Sequence, residues 1–218
     1  MKRIPEPELM ETMEQAEAYD KADFSEAHGR RVELFSARYG RDVTGTVLDL
    51  GCGSGDILER FAKKFSNASF LGVDGSEPML ELSRRRMTKA GLSTRMKFLR
   101  AFIPSPDIPR DDYSVIMSHS LLHHLHEPAV LWNTVKQLAR KDSFVFVADL
   151  RRPASEQDVA AIVEKLSGNE PDVLKTDFYN SLCAAFTADE ISAQLKAAGL
   201  NLKVEEAGDI HILVYGQP

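Results

Sequence analysis

Between Val47 and Asp56 a short apolar run gives way to glycine at every second position: Val47-Leu48-Asp49-Leu50-Gly51-Cys52-Gly53-Ser54-Gly55-Asp56. Glycine tolerates positive φ and lets a ligand come close to the main chain, so this spacing describes a turn built for close approach. Charge narrows the ligand. A dinucleotide fingerprint wants its third glycine where this chain has Asp56, and a carboxylate in the first turn of a helix repels a diphosphate. A ligand presenting a cation fits better. Asp74 closes the next apolar run and is placed to accept hydrogen bonds from both hydroxyls of a ribose. Further on, His119, His123, His124 and His126 crowd into one stretch. His119 ends an apolar run, the best position among them for general-base work. A metal centre is not expected there: no thiol is near, and Asp111, Asp112 and Glu127 sit in flanking turns.

The elements that must position these groups follow from periodicity. Val47–Leu50 reads as a buried strand, and Ile57, Leu58, Phe61, Ala62 and Phe65 mark an amphipathic helix directly after the glycines. Ala68–Asp74 is the second strand, and Ser76 with Pro78 starts the next helix. Thr94–Leu99, Ser114–Ser118 and Phe144–Leu150 supply further strands, the last a continuous apolar run suited to a sheet covered on both faces. That strand delivers Asp149 to the edge already occupied by Gly53, Asp74 and His119. Thr187 and Glu190 form a capping box, and two final strands joined through Gly208-Asp209 read as a hairpin. Residues 1–40 are expected to form a helical cap (Leu9–Tyr19 and Ala27–Tyr39), with Tyr19, Asp23 and Phe24 the residues of interest. Residues 154–186 are longer than a strand-to-helix link needs and overhang the crevice, which makes them the expected substrate cover.

The pattern Asp49-x-Gly51-x-Gly53-x-Gly55 resembles the nucleotide-binding loop of the class I, Rossmann-like S-adenosylmethionine-dependent methyltransferases. The resemblance implies that this loop, Cys52 included, holds the amino-acid end of the cofactor and that Asp49 helps place its ammonium group. It continues through Gly72-Val73-Asp74-Gly75-Ser76 with Met79-Leu80. There it implies that Asp74 binds the ribose and that Gly75, Ser76 and Met79 line the adenine. Leu122-His123-His124-Leu125 resembles a segment of the ubiquinone/menaquinone-biosynthesis-type methyltransferases, which implies that Ser118, His119 and Ser120 flank the methionine portion. The chain departs from its relatives after the third strand, where no acid precedes Asp107. Adenine recognition then falls to backbone groups of Ala101 and Phe102, to stacking on Phe102, or to Asp107 on a longer loop. The implied fold is a three-layer α/β, Rossmann-like seven-stranded sheet, mostly parallel with an antiparallel C-terminal strand, over residues 41–218.

The expected reaction is methyl transfer from S-adenosylmethionine, giving S-adenosylhomocysteine, to an oxygen, nitrogen or carbon of a small acceptor. A base for such a nucleophile would come from His119, Asp149 or Tyr179, in that order. A cofactor-binding enzyme of other chemistry and an NAD-linked oxidoreductase are the alternatives, along with a binding module that retains the cofactor. Nucleic-acid substrates are not expected: the net charge is −6 over 218 residues, and no Asn/Asp-Pro-Pro-aromatic tetrapeptide follows the fourth strand. Two cysteines cannot form a disulfide framework, no apolar run is long enough to span a bilayer, and residues 1–8 lack the apolar core of a signal peptide. A cytoplasmic protein is expected, and a homodimer is left open.

Overall fold

The computed structural model describes residues 1–6, 12–21 and 25–218. Alternation along the strands decides which face each side chain serves. In β1 (Gly45–Leu50), Val47 joins one apolar cluster while Leu48 and Leu50 join another on the opposite face. β2 (Ala68–Asp74), β4 (Tyr113–His119) and β5 (Phe144–Leu150) split in the same way, with Phe70, Val115, Met117 and Phe146 on the first face and Leu71, Val73, Ile116, Val145 and Val147 on the second. Parallel strands buried on both faces need two covering layers, and the helices supply them. Leu58, Phe61, Leu80 and Met87 from α3 (Asp56–Lys64) and α4 (Glu77–Lys89), with Phe35 from α2 (Ser25–Tyr39), cover the first face. Leu131, Trp132, Ile191 and Leu195 from α5 (Ala129–Leu138) and α8 (Ala188–Ala198) cover the second.

Among the described residues the sheet has seven strands in the order β3-β2-β1-β4-β5-β7-β6, with β3 at Met96–Arg100, β6 at Lys203–Ala207 and β7 at His211–Gly216. All neighbouring pairs are parallel except those of β7, which runs antiparallel between β5 and β6. The strand order reverses direction at β1 and β4, the place where an open α/β sheet forms its ligand crevice. The expected three-layer, mostly parallel sheet is the observed one.

Local details differ from the sequence reading in small ways. The third strand starts at Met96, because Ser93–Arg95 forms a 3₁₀ turn whose Arg95 donates to the Ala62, Phe65 and Ala68 carbonyls. The first helix, α1, runs from Met13 to Lys21; Leu9–Glu11, and Asp23 and Phe24, lie outside the described residues. The 154–186 stretch holds α6 (Glu156–Ser167) and α7 (Asp172–Ala184), which share a small cluster with Leu150, Val159, Val163, Leu182 and Cys183.

Candidate active site

The turn between β1 and α3 is the best-defined part of the crevice. Gly51 and Cys52 both donate to the Val73 carbonyl, at 2.8 and 3.1 Å, and Gly55 donates to the Cys52 carbonyl at 3.1 Å. Gly53 donates to Asp74 Oδ2 at 2.8 Å. These four N–H groups are occupied within the protein and are not open to a diphosphate. The glycines serve different ends. A Cβ on Gly51 would lie 2.9 Å from Leu121, and one on Gly55 would lie 2.6 Å from Ser83 Oγ, so packing demands both. At Gly53, φ is 53° and nothing lies within 4 Å. Gly53 is the open cradle, its carbonyl held by Ser83 Oγ at 2.7 Å. Burial pushes the neighbouring Cys52 thiol up, and Asp74 and Asp49 add to the shift, so this cysteine is not a nucleophile.

Asp56, which opens α3, does not face the turn as a bare charge. His28 Nδ1 and Arg60 Nε both meet its Oδ2, at 2.7 and 2.8 Å, and Arg86 Nη1 meets Oδ1 at 3.2 Å. Burial pushes the Asp56 carboxyl up, but the hydrogen bonds from His28 and Arg60 outweigh it and hold the group far below the usual carboxylate range. Its repulsion of a diphosphate is thus largely neutralised. Preference for a cation rests instead on Asp49. That carboxylate is 2% exposed and its Oδ1 has no hydrogen-bond partner among the described residues. His119, from the neighbouring strand, presents Nδ1 at 4.0 Å from Asp49 Oδ1, too far for a hydrogen bond. Its ring is wedged between Phe61 and Phe146, both of its nitrogens lack partners, and burial lowers its pKa and keeps it neutral. Asp49 Oδ1 is therefore a buried acceptor in need of a donor, which an ammonium group could supply, and His119 beside it has one ring nitrogen free to accept and one to donate.

Asp74 ends β2 with Oδ1 accepting from Ser76 N at 2.8 Å as well as Oδ2 from Gly53. A carboxylate has more acceptor sites than these bonds use, so capacity for hydroxyls remains. Ser76 caps α4 by accepting from Met79 N, and Met79 is buried. Ala101 donates its N–H to the Asp74 carbonyl at 3.0 Å, whereas the Phe102 ring stands 59% exposed just past β3, free to stack. Ser118 is buried and donates to the Leu50 carbonyl at 2.8 Å. Together these groups offer a buried acceptor without a donor at Asp49, an open glycine at Gly53 and a carboxylate with spare acceptor sites at Asp74, a set that could hold an ammonium group and a ribose.

Asp149 belongs to a different neighbourhood. His119 is paired in register with Ala148, so Asp149 points to the opposite sheet face. There it meets His123 Nδ1 at 2.5 Å and accepts from Leu122 N and Leu150 N. Burial opposes charge on both partners, yet their attraction raises the His123 pKa and lowers that of Asp149. Glu6 completes this network, with Oε1 at 3.5 Å from His123 Nε2 and 3.3 Å from His124 Nδ1. The ligand-type atoms of Glu6, His123 and His124 lie within 4.8 Å of one another. The carboxylates that meet the histidines are thus Glu6 and Asp149, not the flanking-turn acids considered from sequence. Tyr179 sits on α7 and packs against the small α6–α7 cluster. His119, Asp149 and Tyr179 are not brought together.

Sequence reasoning missed Glu6 and Arg31. Nothing local marks Glu6. Arg31 did leave a signal, since it falls on the apolar stripe of α2 with Val32 and Phe35.

A glycine turn sits at the switch point of a mostly parallel, Rossmann-like seven-stranded sheet with an antiparallel β7. Residues 47–142 match the family described as a methyltransferase domain. The chain is 30% identical over 128 residues to (S)-coclaurine N-methyltransferase of Thalictrum flavum subsp. glaucum, covering 59% of this chain and 35% of that protein. It is 27% identical over 107 residues to ubiquinone biosynthesis O-methyltransferase of Pseudomonas paraeruginosa, covering 49% of this chain and 45% of that protein. The chain thus spans less than half the length of these relatives. In fold it is similar to a SAM-dependent methyltransferase from Aquifex aeolicus, with a TM-score of 0.72, 19% identity, and coverage of 94% of this chain and 98% of that one.

Proposed function

We propose that this protein transfers the methyl group of S-adenosylmethionine to a small-molecule acceptor. One observation carries the reading: the Gly51, Cys52, Gly53 and Gly55 N–H groups are already bonded, while Asp49 Oδ1 beside the turn is a buried acceptor lacking a donor. That combination suits a cationic amino-acid tail and not a diphosphate. Bound S-adenosylmethionine supplies an electrophilic methyl on its sulfonium. The chain's part is to orient the acceptor in line with that methyl and to exclude water. His119, kept neutral by burial, is the residue proposed to take a proton from an oxygen or carbon nucleophile. In this reading Asp49, Gly51, Cys52, Gly53, Gly55, Asp74, Gly75, Ser76, Met79 and Phe102 hold the cofactor. Asp149 fixes the loop after β4 through His123, and Tyr179 belongs to the cover. The relatives named above act on oxygen and nitrogen of small molecules, which supports the same class of acceptor here.

Residues 1–40 are proposed to act as a cap and α6–α7 as the acceptor cover. No helix among the described residues is long and apolar enough to cross a membrane. A cytoplasmic location, a homodimer and the exclusion of nucleic acids belong to the same proposal. Calorimetric titration with S-adenosylhomocysteine and with NAD tests the reading. The nucleoside is expected to bind and NAD not to, and Asp74→Ala is expected to weaken the nucleoside by about 1–3 kcal/mol. Binding of NAD alone would sink it.

A further inference from the structure

On the sheet face opposite His119, two histidines and a carboxylate from distant parts of the chain converge. His123 and His124 lie in the 3₁₀ turn Leu122–His124, their ring centroids 4.1 Å apart. Glu6 arrives on the N-terminal strap. Arg3 fastens that strap to the His123, Leu125 and Ala184 carbonyls, and the Ile4 N–H to the Cys183 carbonyl. Glu6 Oε1 stands 3.5 Å from His123 Nε2 and 3.3 Å from His124 Nδ1, and the three atoms lie within 4.8 Å of one another. The Glu6 side chain is 10% exposed, and its Oε1 has no hydrogen-bond partner among the described residues. Its other oxygen accepts from Ser181 Oγ at 3.2 Å. Arg3 is attracted to Glu6 at a distance, but its Nε and Nη2 donate to main-chain carbonyls.

Two features separate this cluster from an ordinary ion pair. The first is spacing. A charged N–H···O bond closes to about 2.7–2.9 Å, whereas the two Glu6 contacts stop at 3.5 and 3.3 Å. An ion that takes nitrogen and oxygen donors tetrahedrally at about 2.0–2.1 Å holds neighbouring donors about 3.4 Å apart. The second feature is the outer partner of His123. Asp149 Oδ1 meets His123 Nδ1 at 2.5 Å, and the Leu122 and Leu150 N–H groups hold that carboxylate in place. A carboxylate on the far nitrogen fixes the proton at Nδ1 and turns the Nε2 lone pair toward Glu6, the arrangement that metal-ligating histidines use. With no cation between them, that lone pair faces a carboxylate oxygen, acceptor against acceptor.

We propose that Glu6, His123 and His124 bind a divalent ion of the zinc type, with Asp149 orienting His123 from outside. Two imidazoles and one carboxylate suit zinc better than the oxygen-seeking magnesium and calcium. Three protein donors leave one position of a tetrahedral ion for a water or for an oxygen of a bound molecule. The ion joins the N-terminal strap to the loop after β4. The assignment goes beyond methyl transfer and stands whether or not that reading holds.

Calorimetric titration of the chelator-treated full chain with zinc chloride tests the site. One ion per chain is expected to bind and to raise the melting temperature. Glu6→Gln keeps the side chain's shape and a carbonyl for Ser181, but sets an amide in place of a charged donor. It is expected to weaken zinc about tenfold or more and to shrink the thermal shift in step, since even outer partners of a metal site are worth that much. His124→Ala removes a donor from the more exposed side of the cluster; it is expected to act alike and serves where Glu6→Gln loosens the strap. Cobalt(II) in place of zinc is expected to give the visible absorption of a four-coordinate ion in wild type, and to lose it in both variants. Wild type that takes up no zinc, or zinc held equally tightly by wild type and either variant, overturns the site. Zinc binding with no binding of S-adenosylhomocysteine leaves the site standing and sinks the methyl-transfer reading instead.

Discussion

The crevice has two halves that are built by different means. At β1 and β2, polar side chains are fixed by backbone N–H groups: Asp74 accepts from Gly53 and Ser76, and Ser76 from Met79. At β4 and β5, side chains meet side chains from far away: His123 meets both Asp149 and Glu6, and Arg31 reaches Ser120. Backbone donors are fixed once β1 and β2 pair, so the first half, the cofactor side in the proposed function, is preorganised by the main chain. The second half depends on the whole fold and leaves Arg31 and both His119 nitrogens short of partners. Such a half can be retuned to a new acceptor without disturbing the first.

If that contrast is right, substitutions in the two halves fail in different ways. Asp149→Ala strands the buried His123 and is expected to cost about 3–5 kcal/mol in urea-unfolding free energy. Asp74→Ala, whose loss falls mainly on ligand affinity, is expected to unfold at nearly the wild-type urea concentration. Equal stability losses in the two variants would erase the contrast.

The next effect in size is a pH dependence. Burial, with Arg31 adding to it, lowers the pKa of His211 from 6.5 to about 4. The folded state therefore resists a proton that the unfolded chain accepts, and stability is lost as pH falls from 6.5 toward 4. His211 alone is expected to remove on the order of 3 kcal/mol across that window. Urea titrations of wild type and His211→Asn at several pH values should show a shallower acid slope in the variant. Parallel slopes would mean that Arg31 and His211 do not share a desolvated half.

The smallest effects separate two glycines of one turn. Gly55→Ala forces a Cβ toward Ser83 at φ of 81° and is expected to cost about 2 kcal/mol of stability with melting temperature as the readout. Gly53→Ala meets open space and is expected to cost about 1 kcal/mol of stability, with a larger loss in affinity for S-adenosylhomocysteine. Affinity losses in the reverse order would move the cradle to Gly55.

The same division explains what the sequence revealed. The Ser76 cap and the Thr187–Glu190 capping box are legible because each is set by residues a few positions apart, and the glycine turn and Asp74 because each ends an apolar run. Glu6 and Arg3 were not legible, since their partners lie more than a hundred residues on: Arg3 donates to the His123, Leu125 and Ala184 carbonyls. His119 and Asp149 both end strands at the same edge, which sequence indicates. That they point to opposite faces follows only from the register of β4 on β5. Arg31 lay between these cases, visible as a charge on an apolar stripe but without any hint of Ser120.

The position of β7 has a consequence for how the molecule is made. Because β7 slots between β5 and β6, the edge of β5 stays uncovered on the ribosome until His211–Gly216 has emerged. Until then a Phe-Val-Phe-Val strand offers its open hydrogen-bonding groups to any passing chain. Chaperone demand and heat-induced clumping should accordingly track the hairpin's arrival more closely than any event at the glycine turn.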